Sequence, residues 1–179
     1  NRDDLVDYCR YSAMPVGRFV LDVHGESQET WPANDALCAA LQIINHLQDC
    51  AKDYRELDRV YIPGDTLAAH GLTVEALAAP RASPALMQCM QDLAAHTALL
   101  LEDSRPFVAQ IGDRRLAMEV AAIQMLADRL ISLLLTRDPL SERVHLSKSQ
   151  MLFTGVAGAA SGLVRWLITR AAPSSAFAR

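Results

Sequence analysis

Residues 41–59 of this 179-residue chain, LQIINHLQDCAKDYRELDR, decide how the rest of the sequence is interpreted. Asp49 and Asp53 are four residues apart, so a helix would place their carboxylates one turn apart on one face. Gln42 and Asn45 share that face, because at about 100° per residue all four positions fall within a sector of roughly 80°. Carboxylate and amide oxygens suit hard divalent cations, which in turn can hold a phosphorylated ligand. The same spacing also occurs on ordinary solvated helix faces, so spacing alone leaves the function open.

The composition bounds the class of protein. With 51% hydrophobic residues, the chain is long enough for one domain with a substantial core. Its net charge of −4 argues against a nucleic-acid partner, because phosphate backbones require clustered Lys and Arg. The four cysteines are scattered without a CxxC pair, which predicts free thiols and no zinc site or disulfide framework.

Nearly every segment has the pattern of a helix, and no alternating β pattern of useful length occurs. We expect Pro15 to kink the first helix or free a carbonyl there, and Asn34 to cap the second, with Trp31 as its hydrophobic partner. The expected helices cover residues 2–24, 34–56, 67–70, 74–79, a long segment from 84 that is interrupted at 106, 113–136 and 147–170. Residues 1–170 are predicted to form one helical domain, and residues 171–179 a disordered tail.

Residues 151–164 are apolar and rich in small side chains, with Gly155, Gly158 and Gly162 among them. This apolar run is too short to span a bilayer. We expect a helix that packs closely against its neighbours through the small residues. The alternative is a face that touches a membrane, flanked by Lys148, Arg165 and Arg170.

Two motifs resemble those of a known family. The pattern Q-x2-N-x3-D-x3-D-x5-R-x-Y-x-P over residues 42–63 is similar to the second aspartate motif of the squalene/phytoene synthases. Upstream, YCRYSAMPVG at residues 8–17 resembles the YCxxVAGxVG helix of the same family. The resemblance runs from about residue 4 to residue 159. The family's first aspartate-rich motif has no counterpart here, so we expect the chain to be a C-terminal portion of the domain.

The resemblance implies an all-α, isoprenoid-synthase-like helical bundle around a central apolar cavity, with the motif helix at its mouth. It implies Mg²⁺, or Mn²⁺ in its place, held by Asn45, Asp49 and Asp53, of which the two aspartates are the catalytic pair. It also implies five substrate contacts: Tyr8, Gln42, Asn45, Arg59 and Tyr61. An ordinary ion pair in the loop remains the alternative role for Arg59, and simple packing between helices remains the alternative role for Tyr8.

Several departures from the family motifs point to one branch of the family. Gln48 replaces a basic residue, Cys38 replaces a glycine, and Ser12 and Met14 replace Val and Gly before an inserted Pro15. This form resembles a bacterial branch in hopanoid biosynthesis, whose enzymes ionise presqualene diphosphate and capture the rearranged cation with water to give hydroxysqualene and diphosphate. Ser12 could make the cavity wall more polar, although a helical Ser more often bonds its own i−4 carbonyl.

The implied partners are a prenyl diphosphate substrate, presqualene or farnesyl diphosphate, and neighbouring enzymes of the hopanoid pathway. The implied location is the cytoplasm, with peripheral contact at the inner face of the membrane. Two other functions stay open: condensation of farnesyl diphosphate to presqualene diphosphate, squalene or phytoene, and a non-catalytic helical assembly factor. The absence of GxGxxG counts against a reductive enzyme, and the intact Asp49 and Asp53 count against the assembly factor.

Overall fold

The computed structural model describes residues 1–171, and every regular element within them is a helix, which confirms the all-α class. The elements are α1 (Arg2–Ser12), α2 (Met14–Val23), a 3-10 turn (Gln28–Thr30), α3 (Trp31–Leu57), α4 (Gly64–Ala69), a second 3-10 turn (Val74–Ala78), α5 (Pro84–Asp103), α6 (Phe107–Gln110), α7 (Arg114–Leu134) and α8 (Lys148–Ala171).

The chain breaks between α1 and α2 as the proline predicted. Ala13 separates the two helices, and Pro15 lies in the first turn of α2, where its missing N–H costs no helical hydrogen bond. Ala13 itself keeps a right-handed helical conformation and donates its N–H to the carbonyl of Cys9 at 3.0 Å, so the interruption is limited to this one residue.

Helix α3 is the centre of the fold and packs against α1, α2, α5 and α7. Its inner face buries aliphatic side chains such as Ile43, Ile44 and Leu47. The prediction that Asn34 caps this helix is wrong. The first 3-10 turn leads directly into Trp31, and Pro32 occupies the first turn, so Asn34 lies inside the helix and is only 3% exposed. Trp31, predicted to precede the cap, is likewise helical.

The end of α3 turns the chain back toward α1. Asp58 adopts a left-handed conformation with φ 52°, and the backbone N–H of Arg59 donates to the carbonyl of Asp53 at 3.1 Å. Ile62 is then buried in the core, which fixes the segment that carries Tyr61 beside α1.

Helix α8 lies against α7 through glycines. A Cβ on Gly158 would be 2.6 Å from the Cα of Ala122, and one on Gly162 would be 2.5 Å from the Cβ of Ala121. The predicted close packing is confirmed at these two positions. At Gly155 a Cβ would meet nothing within 4 Å.

The opposite face of α8 is exposed within the described chain. Its exposed apolar side chains are Met151, Leu152, Phe153, Val156, Val164, Leu167 and Ile168. The prediction that this segment is too short to span a bilayer counted only residues 151–164. By length and composition alone, the whole of α8 is sufficient to cross a membrane, although a core helix of a soluble protein can have the same length and composition. Ala171, the first residue of the predicted tail, is helical, and the rest of that tail, residues 172–179, lies outside the described residues.

The segment between α7 and α8 is held by one carboxylate. Asp138 accepts hydrogen bonds from the backbone N–H groups of Ala82 and Leu140 at 3.0 and 2.9 Å, and from the Ser141 hydroxyl at 2.7 Å. The amide of Gln48 on α3 donates to the carbonyl of Val144 at 2.5 Å. These contacts bring the segment against α3.

Candidate active site

The polar face predicted for residues 42–53 forms on α3. Asp49 and Asp53 are half-buried, and neither carboxylate has a hydrogen bond or ion pair with any of residues 1–171. Gln42 is half-buried and Asn45 is exposed on the same face. Two neighbouring carboxylates without a protein cation repel each other and favour a bound cation.

The described residues supply only part of a metal site. Within residues 1–171, no group of three or more His, Cys, Asp or Glu side chains is arranged to hold a metal ion. The oxygens of Asp49, Asp53 and Asn45 fit a hard divalent cation in type and in their shared direction.

A cavity of about 470 Å³ opens beside Asp49 and is lined by charged side chains that the sequence analysis missed. Lys52 lines it together with Glu142, Arg143 and His145 from the segment after α7. Arg55 points elsewhere and donates to the carbonyl of Ala79 at 3.1 Å. Basic residues after Pro139 were a visible signal, but their approach to Asp49 depends on the docking of a segment distant in sequence.

An aromatic cluster lies next to this face. The rings of His46 and Tyr61 stack 3.6 Å apart and nearly parallel, at 9°, and the ring of Tyr8 lies 6.0 Å from His46 and 6.1 Å from Tyr61. The structure thus brings the predicted residues Tyr8 and Tyr61 together around a histidine that the sequence analysis did not select. Arg59 is exposed, and its side chain makes no hydrogen bond or ion pair within residues 1–171, so its predicted substrate contact stays a prediction.

His46 is 9% exposed and lies between Gln42 and Tyr61. Burial lowers the pKa of this imidazole to about 4, and the negative charge of Asp49 opposes that shift only in part. Its Nε2 lies 3.2 Å from the amide nitrogen of Gln42. The ring is therefore neutral at physiological pH.

An apolar groove of about 280 Å³ lies where α2, α3 and α7 meet. Most of its lining is aliphatic or aromatic: Val20, Leu21, Leu37, Leu41, Phe107, Leu116, Val120 and Ile123. Cys38 and Asn34 also line it, and burial raises the pKa of the Cys38 thiol to about 11, so it stays protonated. Ser12 adds no polarity to this groove, because its hydroxyl donates to the carbonyl of Tyr8 at 2.9 Å.

The family model for squalene/phytoene synthase matches residues 1–150. The chain belongs to the squalene/phytoene synthase family. It is 58% identical over 163 residues to a hydroxysqualene synthase of Rhodopseudomonas palustris, covering 91% of this chain and 56% of that protein. A hydroxysqualene synthase of Sinorhizobium fredii is 54% identical over 165 residues, with 92% and 56% covered.

The fold is similar to that of a solved family structure. A squalene synthase from Alicyclobacillus acidocaldarius superposes with a TM-score of 0.61 at 27% identity, and the match covers 95% of this chain and 52% of that one. The chain spans about half the length of the curated relatives it matches.

Proposed function

We propose that the protein is a hydroxysqualene synthase, which ionises presqualene diphosphate and captures the rearranged cation with water. The observation that carries the proposal is the continuity of one face of α3. The apolar groove reaches Leu41, and Asn45, one turn beyond it on the same face, begins the row of oxygen groups that continues with Asp49 and Asp53. A long hydrocarbon with a charged head group fits along such a surface. The two relatives named hydroxysqualene synthase share more than half of their aligned residues with this chain.

We infer that Asp49 and Asp53, with the amide oxygen of Asn45, hold Mg²⁺ or Mn²⁺. When bound, such an ion neutralises the diphosphate and so lets it leave. Because residues 1–171 contain no larger group of metal-ligating side chains, we expect further ligands from parts of the protein outside them.

The head group would bind on the cationic side of the site. Lys52 and Arg143 line the cavity beside Asp49 and supply positive charge for diphosphate oxygens. The faces of Tyr8 and Tyr61 lie on the other side of α3's polar row, where an aromatic wall stabilises spread positive charge. The groove at Leu41 would hold hydrocarbon and keep stray water from the cation.

The test offers presqualene diphosphate and farnesyl diphosphate separately to the full-length protein with Mg²⁺ and without NADPH, and identifies products by mass. Hydroxysqualene from presqualene diphosphate, absent from a double Asp49→Ala, Asp53→Ala variant, supports the proposal. Presqualene diphosphate made from farnesyl diphosphate would instead assign the protein to the condensing reaction. No product from either substrate would favour a non-catalytic role.

The predicted cytoplasmic location, contact with the inner face of the membrane and association with hopanoid-pathway enzymes belong to this proposal. The exposed apolar face of α8 and its flanking Lys148 and Arg170 are compatible with a membrane surface. Sedimentation of the full-length protein with anionic vesicles would test that contact.

A further inference from the structure

The side of α8 that faces away from α7 carries a continuous row of exposed apolar side chains. Phe153, Val156, Val164 and Leu167 are 74%, 61%, 54% and 51% exposed, and Ala160 between them is exposed as well. Successive members are three or four residues apart, so they form one stripe along the helix, the α8 stripe, opposite the two glycines that contact α7. An exposed apolar surface of this extent indicates an interaction site.

The α8 stripe has nearly the same composition when it is followed in either direction from its centre. Val156 and Val164 lie four residues to either side of Ala160. Phe153 and Leu167 lie seven residues to either side. Ala160 is also close to the middle of the 24-residue helix. A contact between two identical copies needs this symmetry, because a two-fold axis brings each residue to its counterpart at the same distance on the other side of the axis.

The sizes of the side chains in the stripe suit a pair of crossing helices. Two straight helices that cross are closest at one point and separate toward their ends. The smallest residue, Ala160, would lie at the point of closest approach. Farther out, Val156 would meet Val164 of the second copy, and the largest side chain, Phe153, would meet Leu167 and fill the widening gap.

The area of the exposed face is sufficient for such a pair. The four large members of the stripe and the neighbouring Leu152 and Ile168 are each more than half exposed. Burial of these side chains in two copies would remove roughly 1,000 Å² of surface, which reaches the lower limit of specific protein interfaces. Both helices would contribute along most of their length, because the axis lies near the helix midpoint.

Lipid is the competing occupant of this face, and the basic residues of α8 favour it less. Two of the three basic side chains of the helix are bonded to the protein. Arg165 donates to the carbonyl of Arg105 at 2.7 Å. Arg170 donates to the carbonyl of Ile111 at 2.8 Å and lies 4.2 Å from the ring centre of Trp166. Attraction to an anionic membrane needs basic groups that reach the lipid head groups, so these contacts weaken the match to a bilayer.

We propose that the α8 stripe is the contact between two copies of this protein, which pair their α8 helices in opposite directions about a two-fold axis at Ala160. The inference does not depend on the proposed reaction. The partner is a second copy of the same chain, and the same five positions of each copy form the centre of the interface.

A single cysteine on the axis tests the arrangement directly in the full-length protein. In Ala160→Cys the two new thiols would lie within reach of a disulfide, so mild oxidation should convert most of the protein to a covalent dimer on a non-reducing gel. Ser161→Cys is the matched control, because it is the next residue, is equally exposed and points about 100° away. It should stay at the background that the native cysteines give in wild type. Equal cross-linking at both positions would overturn the inference.

Sedimentation equilibrium of the full-length protein provides a second measurement that needs no cross-link. We expect a wild-type dimer, and Phe153→Asp should raise its Kd about 100-fold, because each substitution occurs twice in a symmetric contact. Phe153→Lys and Leu167→Glu should each weaken the dimer, and the double variant should recover most of it, because antiparallel pairing places each Lys beside a Glu.

Three results would overturn the inference. A dimer that Phe153→Asp leaves unchanged would use another surface. A monomeric wild-type protein that sediments with anionic vesicles, and loses that binding in Phe153→Asp, would identify lipid as the occupant of the stripe. A monomeric wild-type protein that does not bind vesicles would mean that another part of the same protein covers it.

Discussion

The two longest helices of the described chain, α3 and α8, use similar lengths of sequence in different ways. Helix α3 buries 11 of its 27 residues, and α8 buries only Gly158 and Gly162 of its 24. Neighbouring elements cover the inner face of α3. Asp49 and Asp53, on its polar face, have no hydrogen bond or ion pair within residues 1–171. On α8, helix α7 contacts only a narrow strip of small residues, and the large apolar side chains of α8 remain outside that contact.

The difference shows that the polarity of a helix face and its burial have to be considered separately when a functional site is inferred. The row of Asp49 and Asp53 on α3 is informative because two half-buried carboxylates four residues apart repel each other and form no ion pair within residues 1–171. The apolar residues of α8 are not informative in the same way, because an apolar helix can be covered by protein or by lipid.

The largest effect is expected on catalytic activity, from substitution of Asp49 or Asp53 on α3. Asp49→Asn or Asp53→Asn keeps side-chain size and removes one charge from the proposed metal site. We expect kcat/KM for presqualene diphosphate to fall about 10²-fold to 10³-fold, because stabilisation of the leaving diphosphate is weakened. The apparent affinity for Mg²⁺, measured by titrating activity with the ion, should fall as well.

The control for this pair is Asp58→Asn at the end of the same helix. Asp58 has φ 52°, a conformation that Asn also adopts readily, and its position on the helix is away from the face of Asn45, Asp49 and Asp53. Activity should stay within about twofold of wild type there. If Asp49→Asn and Asp53→Asn kept as much activity as Asp58→Asn, the proposed role of Asp49 and Asp53 in catalysis would be wrong.

The polar face of α3 was predictable because it depends only on the helical period within one helix. Asp49, Asp53, Asn45 and Gln42 need no information from elsewhere in the chain to share a face. The predicted start of the same helix at Asn34 failed, since the cap preference of Asn was outweighed by Pro32 and the preceding 3-10 turn. The capping preference of a single residue therefore predicts the start of a helix poorly where the preceding element determines the first helical residue.

The cationic side of the site was not predictable from local pattern. Arg143 reaches the cavity beside Asp49 only because the segment after α7 docks on α3, and one contact in that docking, Gln48 to Val144, joins residues 96 positions apart. His46 was missed for the same reason: its partner Tyr61 comes from a different segment, after the turn that ends α3. Long-range contacts of this kind have no signature in a single helix.

A second, smaller effect is expected on the free energy of unfolding, from Asp138 in the segment between α7 and α8. Burial disfavours the charge of Asp138, but hydrogen bonds from Ser141 and from the backbone of Ala82 and Leu140 outweigh it and lower the pKa of this carboxyl below its ordinary 3.8. Asp138→Ala should reduce the free energy of unfolding at pH 7 by about 2 kcal/mol, because these charge-assisted hydrogen bonds are lost. Urea unfolding of the full-length protein measures it.

The sign of the pH dependence follows from the lowered pKa of Asp138. Its stabilisation is present above the ordinary value near 3.8 and is lost as the pH falls through the folded-state pKa. The difference between wild type and Asp138→Ala should therefore shrink below about pH 4. Asp103→Ala, an exposed carboxylate at the end of α5, is the control and should show no comparable loss. Equal losses at both positions would mean that Asp138 does not organise the segment.

A third effect, of similar size to that at Asp138, tests the α8 side of the comparison with one substitution at two glycines, three residues apart. Gly155→Ala and Gly158→Ala gain the same helix propensity, up to about 1 kcal/mol each. Only at Gly158 does the new Cβ meet backbone, 2.6 Å from the Cα of Ala122, so that variant must also push α8 away from α7. The two variants should differ in free energy of unfolding by about 1–3 kcal/mol, with Gly155→Ala the more stable. Because propensity cancels in the difference, the measured gap reports only the packing of α8 on α7, and a gap near zero would mean that α8 is not held there by its glycines.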